Sequence, residues 1–134
     1  MLKYCVDQWE KNKNILRTVF EKVDIYSDYE AFAIIIIESI FPEWEDYDVA
    51  TAKQGDYTGD VIFFISADTE GSKNDIFLSY LRYGSCSVCD TLMRAVESEE
   101  RVEDLMRVAL HFIQNMKHPF SNPYCPSKYD ECCR

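Results

Sequence analysis

Histidine is scarce in this sequence, with His111 and His118 the two examples. Imidazole is the side chain most used for proton transfer and metal ligation near neutral pH, so its scarcity narrows the enzyme classes open to the chain. No G-x-S-x-G, H-E-x-x-H, Walker or G-x-G-x-x-G pattern occurs. The usual marks of serine hydrolases, zinc proteases and nucleotide-binding folds are therefore missing. Basic residues are few: 14 Lys and Arg stand against 24 Asp and Glu, a formal net charge of −10. Direct binding of DNA or RNA needs clustered cations to neutralise phosphates, and this balance argues against it. The longest apolar run, Ala31 to Ile37, falls far short of the ~20 residues that cross a bilayer as a helix, so no membrane insertion is expected. Met1-Leu2-Lys3-Tyr4-Cys5 leads straight into a charged helical pattern rather than a secretory signal, so the expected location is the cytoplasm.

What the sequence does contain is the material of a core. Its 134 residues are 47% hydrophobic and 14% aromatic, which suits one domain and excludes a disordered acidic tail as a description of the whole. Leu2, Val6, Trp9, Leu16, Val19, Phe20 and Val23 recur at helical spacing, predicting a helix over residues 2–23. Ser27 and Glu30 have the form of a capping box and Pro42 stops the segment behind them. Residues 28–41 are therefore expected to form a central buried helix, despite the β-prone run Ile34 to Ile37. Strands are expected at 48–53, 60–66 and 75–83, separated by the turn Gly55-Asp56-Tyr57-Thr58-Gly59 and a second turn at 68–74. Connections this short join antiparallel neighbours. Ser87 and Ser98 are candidate caps of two closing helices, the first turning Leu92, Met93 and Val96 inward, the second Val102, Leu105, Met106, Ala109, Ile113 and Met116. The order ααβββαα predicts an α+β fold, a three-stranded antiparallel meander packed against about four helices. Residues 1–120 read as one domain and 121–134 as an irregular tail rich in proline and cysteine.

Six cysteines in a reducing compartment more often bind metal or do redox chemistry than pair as disulfides. Cys86 and Cys89 form a C-x-x-C between a predicted strand and a helix start, where unpaired amides favour thiolate. The meander does not supply the βαβ unit of a thioredoxin-like redox centre. One zinc ion is the better-fitting cofactor, held by Cys86, Cys89, Cys125 and Cys132 or Cys133, a C-x2-C pair followed after 35 residues by C-x6-C. Only the first pair has standard ligand spacing, and small turn residues account for Cys86 and Cys89 with no metal at all. Cys5 falls by the apolar face of the first helix and is expected to fill core. Asp56, Asp60 and Asp90 read as turn and capping residues rather than ligands. His111 and His118 read as surface or helix-terminal cations.

The remaining feature is anionic and aromatic. Glu43, Trp44, Glu45, Asp46, Tyr47 and Asp48 run consecutively, Tyr57 follows in the next turn, and Tyr129-Asp130-Glu131 repeats the texture. Carboxylates with interleaved rings complement a basic groove, with the aromatics as anchors, so residues 43–48 and Tyr57 are the candidate partner-binding residues. A solvated, aggregation-resistant surface accounts for the same charge without a partner.

Gly55-Asp56-Tyr57-Thr58-Gly59-Asp60, Ile76-Phe77-Leu78-Ser79-Tyr80 and Tyr83-Gly84-Ser85-Cys86-Ser87-Val88-Cys89-Asp90 together resemble a family of small, mostly uncharacterised phage and prophage proteins. The resemblance spans residues 56–114, and Val88 stands where the family pattern has glycine. It implies a viral or mobile-element origin, in the cytoplasm of an infected or lysogenic bacterium. The expected function is that of an acidic accessory protein acting on a host protein rather than an enzyme. Within that class, the best-fitting role is an inhibitor of a nucleic-acid-binding defence protein such as a CRISPR effector, acting by nucleic-acid mimicry. The alternative is a small zinc-binding module, structural or catalytic. A thiol nucleophile at Cys86 or Cys89 is the third option.

Overall fold

A computed structural model of the chain describes residues 1–24, 28–56, 58–69, 72–84 and 90–118. Helix α1, Lys3–Lys22, buries Cys5, Trp9, Asn12, Leu16 and Phe20, whose three- and four-residue spacing makes one stripe. Val6 and Val23, expected on that stripe, are exposed, because the buried line runs through Asn12 instead. Asn12 sits there for a reason: its Nδ2 donates to the Ile40 carbonyl at 2.9 Å, satisfying an acceptor that the last turn of a helix leaves open. Asn12→Ala should remove that donor and cost about 1–2 kcal/mol, seen as a lower urea midpoint at unchanged m-value.

Helix α2, Tyr29–Ile40, is apolar nearly all round and buries Phe32, Ala33, Ile36, Ile37 and Ile40. Burial on several sides overrides the β preference of its isoleucines. Its N-cap is Asp28, whose carboxylate accepts from the Ala31 N–H at 3.1 Å; Ser27, expected to do this, lies outside the described residues.

Strands β1 (Glu45–Gln54), β2 (Gly59–Thr69) and β3 (Ser72–Tyr83) form the antiparallel sheet β1-β2-β3. All three are longer than expected. β1 starts at Glu45 because a bulge between Glu45 and Tyr47, with Asp46 at φ 40°, hides the period-two signal at the level of sequence. Gly55 closes the first hairpin at φ 108°, where an added Cβ would meet the Thr58 carbonyl at 2.2 Å, so this turn requires glycine.

Helix α3, Thr91–Glu97, is capped by Asp90, where Ser87 was the candidate. Helix α4, Arg101–Gln114, starts behind Glu100 without a side-chain cap; the Ser98 hydroxyl instead accepts from the Glu100 N–H at 3.1 Å. Arg101 donates to the Phe20 and Val23 carbonyls, closing the C-terminal end of α1. The α+β order ααβββαα is thus the observed one.

Helices α2, α3 and α4 pack against the sheet, and α1 packs on α2 and α4. Val61, Phe63, Ile65 and Ala67 of β2 and Phe77 and Leu81 of β3 point into the core. Phe63 meets Phe112 of α4 edge to face at 4.9 Å, and the Ser79 hydroxyl donates to the Phe112 carbonyl at 2.6 Å. Beyond α4, Lys117 forms an antiparallel bridge with Leu78, with N–O distances of 2.8 and 2.9 Å, so the chain returns to the edge of β3. No described helix is long and apolar enough to cross a membrane.

Candidate protein-binding surface

The acidic segment follows the C-terminus of α2 and runs into the edge strand β1. Glu43, Glu45, Asp46 and Asp48 are all exposed, and none forms an ion pair with a Lys or Arg among the described residues. The register sets Glu45 opposite Asp68, which adds a carboxylate to the same end of the sheet. Glu43 accepts from the Tyr4 hydroxyl, and Asp68 accepts from the Asn74 N–H at 2.9 Å.

The rings of this segment behave differently from the expected exposed anchors. Trp44 is 5% exposed, stacked on Phe41 at 4.2 Å and on Phe77 at 4.8 Å, and its indole N–H donates to the Tyr4 hydroxyl at 2.9 Å. An indole enclosed in this way is a core residue and offers no contact area to a partner. Tyr47 is half-buried and donates to Glu38 at 2.6 Å. Burial, then the Glu38 hydrogen bond and charge, push its phenol up to about 12. Tyr57 lies outside the described residues, as do Cys86, Cys89, Cys125, Cys132 and Cys133.

The structure displays a feature that the sequence reading passed over: the sheet face turned away from the helices. Cross-strand pairing brings Ala50, Phe64 and Leu78 into one row and Ala52, Ile62 and Tyr80 into the next. Phe64 and Tyr80 are each 45% exposed. Towards one end the next row is Asp48, Ser66 and Ile76; towards the other it is Gln54, Asp60 and Arg82. The result is an apolar band with polar ends. The signal for it was the unbroken run Val61-Ile62-Phe63-Phe64-Ile65, since a strand covered on one face alternates and a strand apolar on both does not.

Asp90 is the most enclosed carboxylate on the described surface of this end of the fold, at 3% exposure. It accepts from the Tyr29 hydroxyl at 2.6 Å, the Gly84 N–H at 3.1 Å and the Met93 N–H at 2.8 Å. One carboxylate thereby ties α2, the end of β3 and the start of α3 together. Burial and the Asp90 hydrogen bond raise the Tyr29 phenol well above its ordinary value. Asp56 and Asp60 are exposed; Asp56 lies in the turn between β1 and β2, whereas Asp60, read as a turn residue, is a strand residue of β2 paired with Gln54 and Arg82.

Cys5 is fully buried, and desolvation pushes its thiol up to about 12, a core thiol rather than a nucleophile. His111 is exposed as expected. His118 is not on the surface: its side chain is 9% exposed, with Nε2 3.6 Å from Asp75 and the ring 5.0 Å from Phe77. No group of three His, Cys, Asp or Glu among the described residues is arranged to hold a metal ion. No protein family, curated protein or solved structure matches the chain.

Proposed function

We propose that this chain is an acidic accessory protein of phage type that binds a host nucleic-acid-binding defence protein and blocks its cationic groove. The observation that carries this reading is the set of exposed carboxylates Glu43, Glu45, Asp46 and Asp48 on and beside an edge strand. Carboxylates on a sheet are held in place before a partner arrives, so presenting them to a basic groove costs little ordering entropy. Their field, on a chain of net charge −10, steers a cationic surface into contact and favours it over neutral ones. The site of action under this reading is the bacterial cytoplasm.

The test is affinity capture from host lysate with the full chain and with a variant carrying Glu43→Lys, Glu45→Lys, Asp46→Lys and Asp48→Lys. The expected result is a nucleic-acid-binding protein recovered by the native chain and lost, by a hundredfold or more, from the variant. Recovery of no such protein, or equal recovery by both, would sink the reading. Circular dichroism of the variant should keep the native shape, since all four side chains are exposed, with a lower melting temperature because Glu43 accepts from Tyr4 and Asp46 holds φ 40°.

A second reading, a zinc module built on Cys86, Cys89, Cys125 and Cys132, draws support from the C-x-x-C spacing and from Asp90, which fixes the chain on both sides of the pair through Gly84 and Met93. Elemental analysis of chelator-free protein decides it: one zinc per chain supports the module, and a sub-stoichiometric content removes it.

A further inference from the structure

We infer that the outer face of the sheet is the docking site for one amphipathic helix of a protein partner, with an apolar stripe and Lys or Arg towards both of its ends. The inference rests on the protein-binding reading above and names the kind of element that makes the contact. β2 carries the first argument. Val61, Phe63 and Ile65 are fully buried under the helices, while Ile62 and Phe64 between them point outward. An antiparallel sheet with one solvated face alternates apolar and polar residues, and β2 breaks that alternation at Ile62 and Phe64, on the side away from the buried Val61, Phe63 and Ile65.

Shape supplies the second argument. Small Ala50 on β1 stands beside Phe64 and Leu78, and the step between them is a groove of about 410 Å³ reaching Asp48 and Ile76. Three strands span roughly 10 Å, which matches the ~10 Å diameter of one helix. The two apolar rows and Ile76 beyond them extend roughly 14 Å along the strands, the length of about two and a half helical turns. A strand added to the edge of β1 would leave this face open, because strand addition uses main-chain groups in the plane of the sheet.

Charge supplies the third. Asp48, Asp60 and Asp68 lie at the two ends of the band, against Arg82, so the complement of a helix laid along the strands is an apolar stripe with Lys or Arg towards both of its ends. The same balance disfavours a second copy, since two chains of net charge −10 repel. At roughly 10 Å by 14 Å, the footprint is also well below the ~800 Å² per partner of a stable dimer.

The test uses the full ¹⁵N-labelled chain and two synthetic helical peptides of ~18 residues, one Leu/Lys and one Leu/Glu, with the same apolar stripe. The Leu/Lys peptide should shift the amides of Ala50, Ile62, Phe64 and Leu78, and the Leu/Glu peptide should bind at least tenfold more weakly. Phe64→Asp should weaken the Leu/Lys peptide tenfold or more, and Tyr80→Ser should do so to a smaller extent; both residues are 45% exposed, so melting should stay close to native. Equal binding of the two peptides, shifts confined to residues 43–48, or indifference to Phe64→Asp would overturn the inference. So would a dimer in sedimentation that Phe64→Asp dissolves, which assigns the face to a second copy. Contacts from residues 119–134 to the Phe64 amide in the free chain would overturn it as well, by assigning the face to the chain itself. If the peptides fail while host capture still disappears on charge reversal at residues 43–48, the docking inference falls and the proposed function stands. If capture survives that reversal and is lost with Phe64→Asp, the docking face stands and the groove-blocking reading falls.

Discussion

Asp90→Ala is expected to lower stability by about 3 kcal/mol, among the largest effects available from a polar side chain in this fold. The carboxylate is buried at 3% exposure and accepts three hydrogen bonds, from Tyr29, Gly84 and Met93. Truncation leaves the Gly84 and Met93 amides without their acceptor and removes the cap of α3. Tyr29 suffers less, because its hydroxyl also reaches the Arg82 carbonyl at 3.0 Å. Asp90→Asn should recover only part of the loss, since its amide nitrogen would face donors that require an acceptor. Urea unfolding checks both variants. A loss below 1 kcal/mol for Asp90→Ala would show that the carboxylate does not join the three elements.

The second large effect is alkaline destabilisation centred on Cys5. Its thiol ionises near 9.0 when exposed and near 12 in the folded chain, because burial disfavours the thiolate. Above pH 9 the unfolded chain has lost this proton and the folded chain retains it, so stability is complete below that pH and falls as pH rises towards 12. The slope contributed by this one thiol is up to about 1.4 kcal/mol per pH unit. Tyr47, held at about 12, and Tyr29, shifted in the same direction, extend the loss above pH 10. Melting temperatures from pH 8 to 11 should therefore fall steeply, and Cys5→Ala should flatten the portion that begins at pH 9, whatever its cost at neutral pH. Parallel curves for native and variant would contradict the burial of Cys5.

The helices and the meander were legible because their signals are periodic or local. The α1 stripe, the proline behind α2 and the glycine turn between β1 and β2 each follow from spacing and backbone geometry. The details that escaped depend on tertiary contact. Asn12 is buried only because α2 ends opposite it and presents the Ile40 carbonyl. Asp28 caps where Ser27 was expected, and Asp90, already read as a turn or capping residue, caps α3 where Ser87 was the first candidate, since several residues in each stretch have capping chemistry and the fold selects among them.

The acidic residues 43–48 were legible as exposed charge, and the structure places the carboxylates on the surface. Trp44 was misjudged for a physical reason. Acidic neighbours make a tryptophan look solvated, yet the chain turns at the α2–β1 junction and lays the indole between Phe41 and Phe77. The outer sheet face escaped because an unbroken run such as Val61 to Ile65 reads equally well as a strand buried on both faces. The alternating burial of β2 in the folded chain, with Val61, Phe63 and Ile65 inside, leaves Ile62 and Phe64 facing out.

The measurement that bears most directly on the proposed function is a displacement titration. The nuclease or other nucleic-acid-binding protein recovered by the native chain is loaded with a labelled oligonucleotide and titrated with the chain at low and at high salt. The account predicts stoichiometric release of the oligonucleotide at low salt, with apparent affinity falling steeply as salt rises, because a carboxylate surface competes with phosphates for the same cations. An oligonucleotide that stays bound while the chain binds, with affinity indifferent to salt, would contradict it.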